Sequence, residues 1–235
     1  MLLSRVRIVC ASTFSAVLAF GALSCGGEEV KYKPKPAPSG VKANLPAVPN
    51  VPKKPIKGKG GAYTVWGASY HLRSRVHRDS INTKTIDITG WIGHTNLMQA
   101  PECAVHKGGK ADPEGCKPDV PAFWLCDKKS DKKDDCIKVL GWASNYAQLF
   151  DAIKEYEKDE EAEHLDTFWG KPIPNPIPNV GANVTVTGRY STTFTGSSTG
   201  TEADPIMGLL TFQKIEYHEP PPEPAMLPGM EKEKP

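Results

Sequence analysis

The chain has few of the sequence signatures that mark catalysis. It contains no His-Glu-x-x-His, no P-loop and no Rossmann glycine string, which leaves zinc hydrolysis and nucleotide or dinucleotide chemistry without a motif. Its histidines, His71, His77, His94, His106, His164 and His218, stand apart without catalytic spacing. Cys-x-x-Cys is absent too, so neither thioredoxin-like exchange nor covalent haem attachment is indicated. Beyond the N-terminus no apolar run is long enough to span a bilayer. What is present is 235 residues, room for one domain of ordinary size. The 22 prolines crowd toward the two ends, so the folded part is shorter than the chain.

Residues 1–24 read as an export signal. Arg5 and Arg7 supply a positive n-region, and Ile8 to Leu23 form an uncharged apolar h-region. The segment closes on Gly21-Ala22-Leu23-Ser24-Cys25. This order resembles the signal and lipobox of bacterial lipoproteins, with Ala22 where leucine is usual. The resemblance implies cleavage before Cys25, diacylation of its thiol and acylation of the new amine with palmitate-type chains. Several buried chains anchor stably where one is marginal. Gly26 replaces the aspartate that retains such proteins at the inner membrane, which implies the outer membrane, on its periplasmic or outer surface. The alternative is an ordinary secretory signal cut near Ala22 or Ser24.

From Cys25 to Gly61 the chain is rich in Pro and Lys and poor in large hydrophobes, a composition that does not offset the entropy of ordering. It reads as an anchored tether over 25–61, with a domain over 62–218 and a disordered Pro/Glu-rich tail over 219–235. The signal carries two arginines, and residues 26–60 carry eight Lys against two Glu. With +2 for the whole chain, residues 61–235 therefore hold a net −6. The basic strip belongs to the tether, where a solvated spacer and a contact with anionic headgroups both fit.

The middle alternates as strands do. Ile86, Ile88 and Ile92 alternate with Asp87, Thr89 and Trp91; Ala122–Cys126 and Ile137–Trp142 come next; Val184, Val186 and Tyr190 alternate with Thr185, Thr187 and Arg189; Gly208–Tyr217 closes the set. Tyr63–Leu72 reads as an extra strand in front. One helix is expected, with Ser144 or Asn145 as cap and Tyr146, Leu149, Phe150, Ile153 and Tyr156 on one face. After it comes a Pro-rich crossover through Pro172–Pro178. The expected fold is mainly β. Three strands, a helix and two strands, with Gly90 and Gly188 where a barrel strand bends, resemble an OB-fold: a five- to six-stranded Greek-key barrel with one helix between strands three and four. An immunoglobulin-like sandwich would not place a helix there.

Four cysteines remain after export, Cys103, Cys116, Cys126 and Cys136, which suggests two disulfides among three possible connectivities. Cys103–Cys116 would close a glycine-rich loop, and Cys126–Cys136 would pin a hairpin whose polar turn, Asp127–Asp135, brings no contact to fix register. A competing reading uses Cys103, His106 and Cys116 as metal ligands, in a metal carrier or metalloenzyme. The alternating Asp and Lys of the turn read as a solvated tip. Trp66, Trp91, Trp124, Trp142 and Tyr190 offer stacking surfaces of the kind that bind nucleic acid. The −6 balance argues against that partner, and most of these rings are expected to fill the barrel. Trp91 is the exception, because its phase opposes Ile88 and Ile92. With Arg189 it marks an expected exposed binding face. The expected function is a lipid-anchored, non-enzymatic envelope protein, without cofactor, binding an envelope protein or glycan.

Overall fold

A computed structural model describes residues 54–58, 60–108, 112–197 and 200–230; the signal, Cys25 and the tether up to residue 53 lie outside the described residues. In chain order the elements are β1 (Tyr63–Thr64), α1 (Val65–Arg73), α2 (Arg78–Ile81), β2 (Lys84–Thr95), β3 (Phe123–Cys126), β4 (Ile137–Leu140) and α3 (Tyr146–Tyr156). Then come β5 (Leu165–Asp166), β6 (Lys171–Pro172), β7 (Asn183–Ser191), β8 (Thr193–Ser197), β9 (Gly200–Ala203) and β10 (Leu209–Glu219). No helix among the described residues is long and apolar enough to cross a membrane.

The alternating runs become five barrel strands in the order β2-β3-β4-β10-β7, and β7 pairs back on β2 to close the ring. The β4–β10 seam is parallel and the other four are antiparallel. With α3 between the third and fourth barrel strands, this is the OB-like Greek key expected from the sequence. β1 adds a sixth strand, parallel to β2. Inward residues Ile88, Ile92, Phe123, Leu125, Ile137, Val139, Val184, Val186, Leu210 and Phe212 fill the interior. Closure depends on two glycines facing inward. A Cβ at Gly90 would sit 2.6 Å from the Cys126 carbonyl oxygen, and one at Gly188 2.5 Å from that of Thr211. Only hydrogen fits there.

Helix α3 forms as its spacing predicts. The Asn145 side chain accepts from Gln148 N at 2.8 Å, and Tyr146, Leu149, Ile153 and Tyr156 are buried. The crossover after it packs too, burying Ile173 and Ile177, with Tyr156 Oη donating to the Ile173 carbonyl at 2.7 Å.

Three expectations are corrected. Tyr63–Leu72 is not a strand: after the two residues of β1 the chain turns into α1, which buries Val65, Ala68, Ser69 and Leu72 at helical spacing. The domain begins before residue 62. Thr64 N donates to the Ile56 carbonyl at 3.0 Å and Gly58 N to that of Ala62 at 2.9 Å, so the end of the expected tether is paired to the domain. Gly67 permits this, since a Cβ there would lie 2.0 Å from the Ile56 oxygen. The expected disordered tail is folded as far as residue 230, with Ala225, Leu227 and Met230 buried in the main core. Between β7 and β10, where the alternation assigns no element, the chain adds a further pair of strands. β8 and β9 pair as a hairpin, and Phe194 on it covers a second apolar cluster of Val120, Ala122, Trp124, Cys126, Cys136, Leu140 and Leu209 on the outside of β3, β4 and β10.

Both disulfides pair as favoured from the sequence, Cys103 with Cys116 and Cys126 with Cys136. The second joins residues next to the Leu125–Ile137 pair, 4.5 Å apart at Cα, so it holds the hairpin at its base. Replacing Cys126 and Cys136 together by Ala is expected to cost about 2–4 kcal/mol. Chemical denaturation under non-reducing conditions measures it, and a loss under about 0.5 kcal/mol, within the scatter of surface substitutions, would show that register is fixed elsewhere.

Candidate binding face on the outside of the barrel

β2 and β7 present the alternate residues that do not enter the core, and their register sets these in facing pairs. Trp91 lies opposite Asn183, Thr89 opposite Thr185, Asp87 opposite Thr187 and Thr85 opposite Arg189. The side chains bond along the row. Thr89 and Thr185 share a hydroxyl hydrogen bond at 2.7 Å, Thr187 donates to Asp87 Oδ1 at 2.7 Å, and Thr185 Oγ1 meets His218 Nε2 at 2.8 Å. Gln213 Nε2 reaches Thr85 Oγ1 at 3.4 Å. The result is a fixed polar strip on a rigid sheet, with hydroxyl, carboxylate and amide groups offering donors and acceptors together.

Trp91 and Arg189 share this face as expected, but at opposite ends. Six residues of strand separate Asn183, the partner of Trp91, from Arg189, about 20 Å at the rise of a strand. Arg189 is exposed. Trp91 is only half-exposed, because the Lys129 ammonium sits 4.0 Å from its ring centroid. The charged turn is the exposed tip expected of it, Lys128–Ser130 and Lys132–Asp135 all being exposed, but its side chains also make contacts that the sequence did not suggest. Lys133 covers the Trp124 ring at 3.8 Å, and the Asp127 carboxylate accepts from Val65 N at 2.9 Å and Trp66 N at 3.0 Å, capping α1 from a distant part of the chain. Of the other rings, Trp142 and Tyr190 are buried, and burial raises the Tyr190 phenol above its ordinary value.

The metal reading loses its donors. Cys103 and Cys116 are bonded to each other, and His106 Nε2 lies 3.4 Å from Asp112 Oδ1. A second grouping the sequence did not suggest is His94 with Cys126 and Cys136, whose donor atoms lie within 4.8 Å of one another, but those sulfurs are also joined. Neither place offers a thiolate. Gly196-Ser197-Ser198-Thr199-Gly200 matches the spacing of a nucleophile elbow. Its Ser198 and Thr199 lie outside the described residues; the elements on either side, β8 and β9, are antiparallel strands, whereas that elbow joins a strand to a helix.

No family model matches this chain, and no curated protein does. Among solved structures, an OBody bound to hen egg-white lysozyme is similar at 12% identity and a TM-score of 0.27, covering 60% of this chain and 86% of that one. The fold assignment accordingly rests on the closed strand order and the position of α3.

Proposed function

We propose that this chain is a lipid-anchored, non-enzymatic protein of the bacterial envelope, most of it an OB-like module that binds an envelope glycan or protein through the β2–β7 face. The observation that supports the binding half is the set of bonded polar side chains on this face, Thr89 with Thr185, Asp87 with Thr187, Thr185 with His218 and Thr85 with Gln213. Its groups are already oriented by one another, so a ligand with matching hydroxyls or amides meets them without first ordering them. Arg189, exposed at one end, adds a charge-assisted donor. The outer face of β3 and β4 is closed by the β8–β9 hairpin, whose Glu202 also pairs with Lys138, whereas β2, β7 and the second half of β10 remain open. The anchoring half rests on the n-region, the h-region and Cys25.

Photo-crosslinking in intact envelopes tests the face. A photoreactive residue at the exposed Thr85 is expected to give a discrete product that the same residue at the exposed Glu114 does not. Arg189→Glu should weaken the Thr85 product roughly tenfold, the scale of one lost hydrogen bond to a charged group. Identical products from both positions, or none from Thr85, would contradict the assignment.

A further inference from the structure

The barrel as a whole is acidic, yet its N-terminal corner has the opposite character. From Lys54 to Arg78 the chain carries six Lys and Arg and no Asp or Glu. This stretch contains α1, the start of α2 and the segment that leads into them. The outer side of α1 carries the half-buried Trp66 and the exposed Tyr70 and Arg73, at helical spacing opposite the buried Val65, Ala68, Ser69 and Leu72. Trp66 and Tyr70 stack at 4.9 Å between centroids, and Tyr70 meets His71 at 6.1 Å. His71 in turn packs on Tyr63 at 5.5 Å and stacks on His77 at 4.6 Å, while Lys57 lies 4.8 Å from the Tyr63 ring. The rings thus form one continuous surface. Its rim is cationic: Arg73, Arg75 and Arg78 are exposed, Val76 between Arg75 and Arg78 is 82% exposed, and Tyr70 is 46% exposed. Asp79, one residue on, is the first acid in the sequence after Glu29. Burial first, then His77 and Lys57, hold His71 below the ordinary imidazole range.

We propose that this α1–α2 corner docks on the anionic headgroup surface of the membrane that holds Cys25. The inference rests on the anchoring half of the proposed function. Three features suit a lipid surface better than a protein groove. Amphipathic rings of Trp and Tyr favour the headgroup layer, where one side is apolar and the other wet. An unpartnered valine among arginines has an apolar layer to enter and phosphates around it. The segment that leads into this corner is also the end of the Pro/Lys-rich stretch that begins at Cys25. A tethered domain presents this corner at high effective concentration, so modest intrinsic affinity suffices. The polar β2–β7 face would then remain a separate surface for the envelope ligand.

The test uses the full chain, purified from membranes and reconstituted into vesicles of phosphatidylcholine alone or with roughly 30% phosphatidylglycerol, both with brominated acyl chains. Tryptophan quenching that disappears in Trp66→Phe reports this corner. It is expected in the anionic vesicles and not in the neutral ones. Replacing Arg73, Arg75 and Arg78 by Gln should lower the docking constant on the order of 100-fold, at about fivefold per charge. Equal Trp66 quenching in both vesicles, no Trp66 quenching in either, or indifference to the arginines would overturn the proposal. Flotation with the neutral vesicles reads the anchor separately. A chain that floats with them but shows no Trp66 quenching in anionic ones refutes the docking alone. A chain that fails to float with neutral vesicles refutes the anchor, and its flotation with anionic ones still decides the docking. Quenching abolished by soluble anionic polysaccharide at low ionic strength, but not by matching salt, would identify a glycan as the true occupant and would also overturn it.

Discussion

Ending the chain at Glu219 is expected to unfold the barrel or cost it most of its stability, although the residues beyond it have the composition of a proline-rich tail. Leu227 is fully buried, and Ala225 and Met230 are nearly so, all three inside the main core. Asn179 Nδ2 holds the strap down by donating to the Glu223 carbonyl at 3.2 Å, and Pro222 packs against Gly181. Gly181, at a φ of 93°, is left-handed, and a Cβ there would meet Pro222 at 2.9 Å, so glycine serves both the turn and the contact. Leu227→Ala alone should cost about 2–5 kcal/mol, the loss of transfer energy plus an incompletely collapsed cavity. Met226→Ala, one residue away but exposed, should stay within about 0.5 kcal/mol. Urea unfolding of the two variants separates the cases. Equal, small losses would mean that the strap does not pack.

Asp166→Ala is the second large effect. This carboxylate is fully buried, and it accepts from Ser144 N at 2.7 Å through Oδ2 and from Phe168 N and Trp169 N at 2.9 and 2.8 Å through Oδ1. It thereby ties the turn before α3 to the β5–β6 hairpin. Alanine would leave three backbone donors without a partner, at a cost on the order of 4 kcal/mol. Asn retains one acceptor oxygen but turns an amide toward the remaining donors, so it should recover about half of that loss. Thermal unfolding of the three proteins gives the order. A loss below about 1 kcal/mol for Ala would mean that water replaces the carboxylate.

The barrel is legible in the sequence because alternation is a local signal: Ile88 and Ile92, or Val184 and Val186, sit two or four residues apart, and the strand order follows from where α3 falls. The glycines are legible for the same reason, since Gly90 and Gly188 interrupt inward positions. α1 reads as a strand although a helical signal is present. Val65, Ala68, Ser69 and Leu72 have helical spacing, and Thr64 caps Gly67 N at 2.9 Å, but Tyr, Thr, Val and Trp at its start favour a strand by propensity. What decides for the helix is partly Asp127, more than sixty residues away, and no local pattern contains that contact. The strap escapes sequence reasoning because its three buried residues are too few and too widely spaced among prolines to register as a core segment. At the candidate face, phase correctly turns Trp91 and Arg189 outward. Phase does not report cover, and Lys129 comes from another loop. The disulfide pairs come from loop length and hairpin symmetry, both visible in the sequence.

The central claim, that this is an anchored envelope module, is tested most directly by intact mass measurement of the N-terminal peptide of the protein extracted from membranes. The peptide is expected to begin at Cys25 and to carry a diacylglyceryl group on sulfur and an acyl group on the amine. A peptide with unmodified Cys25, whether the signal is retained or cut elsewhere, would contradict it.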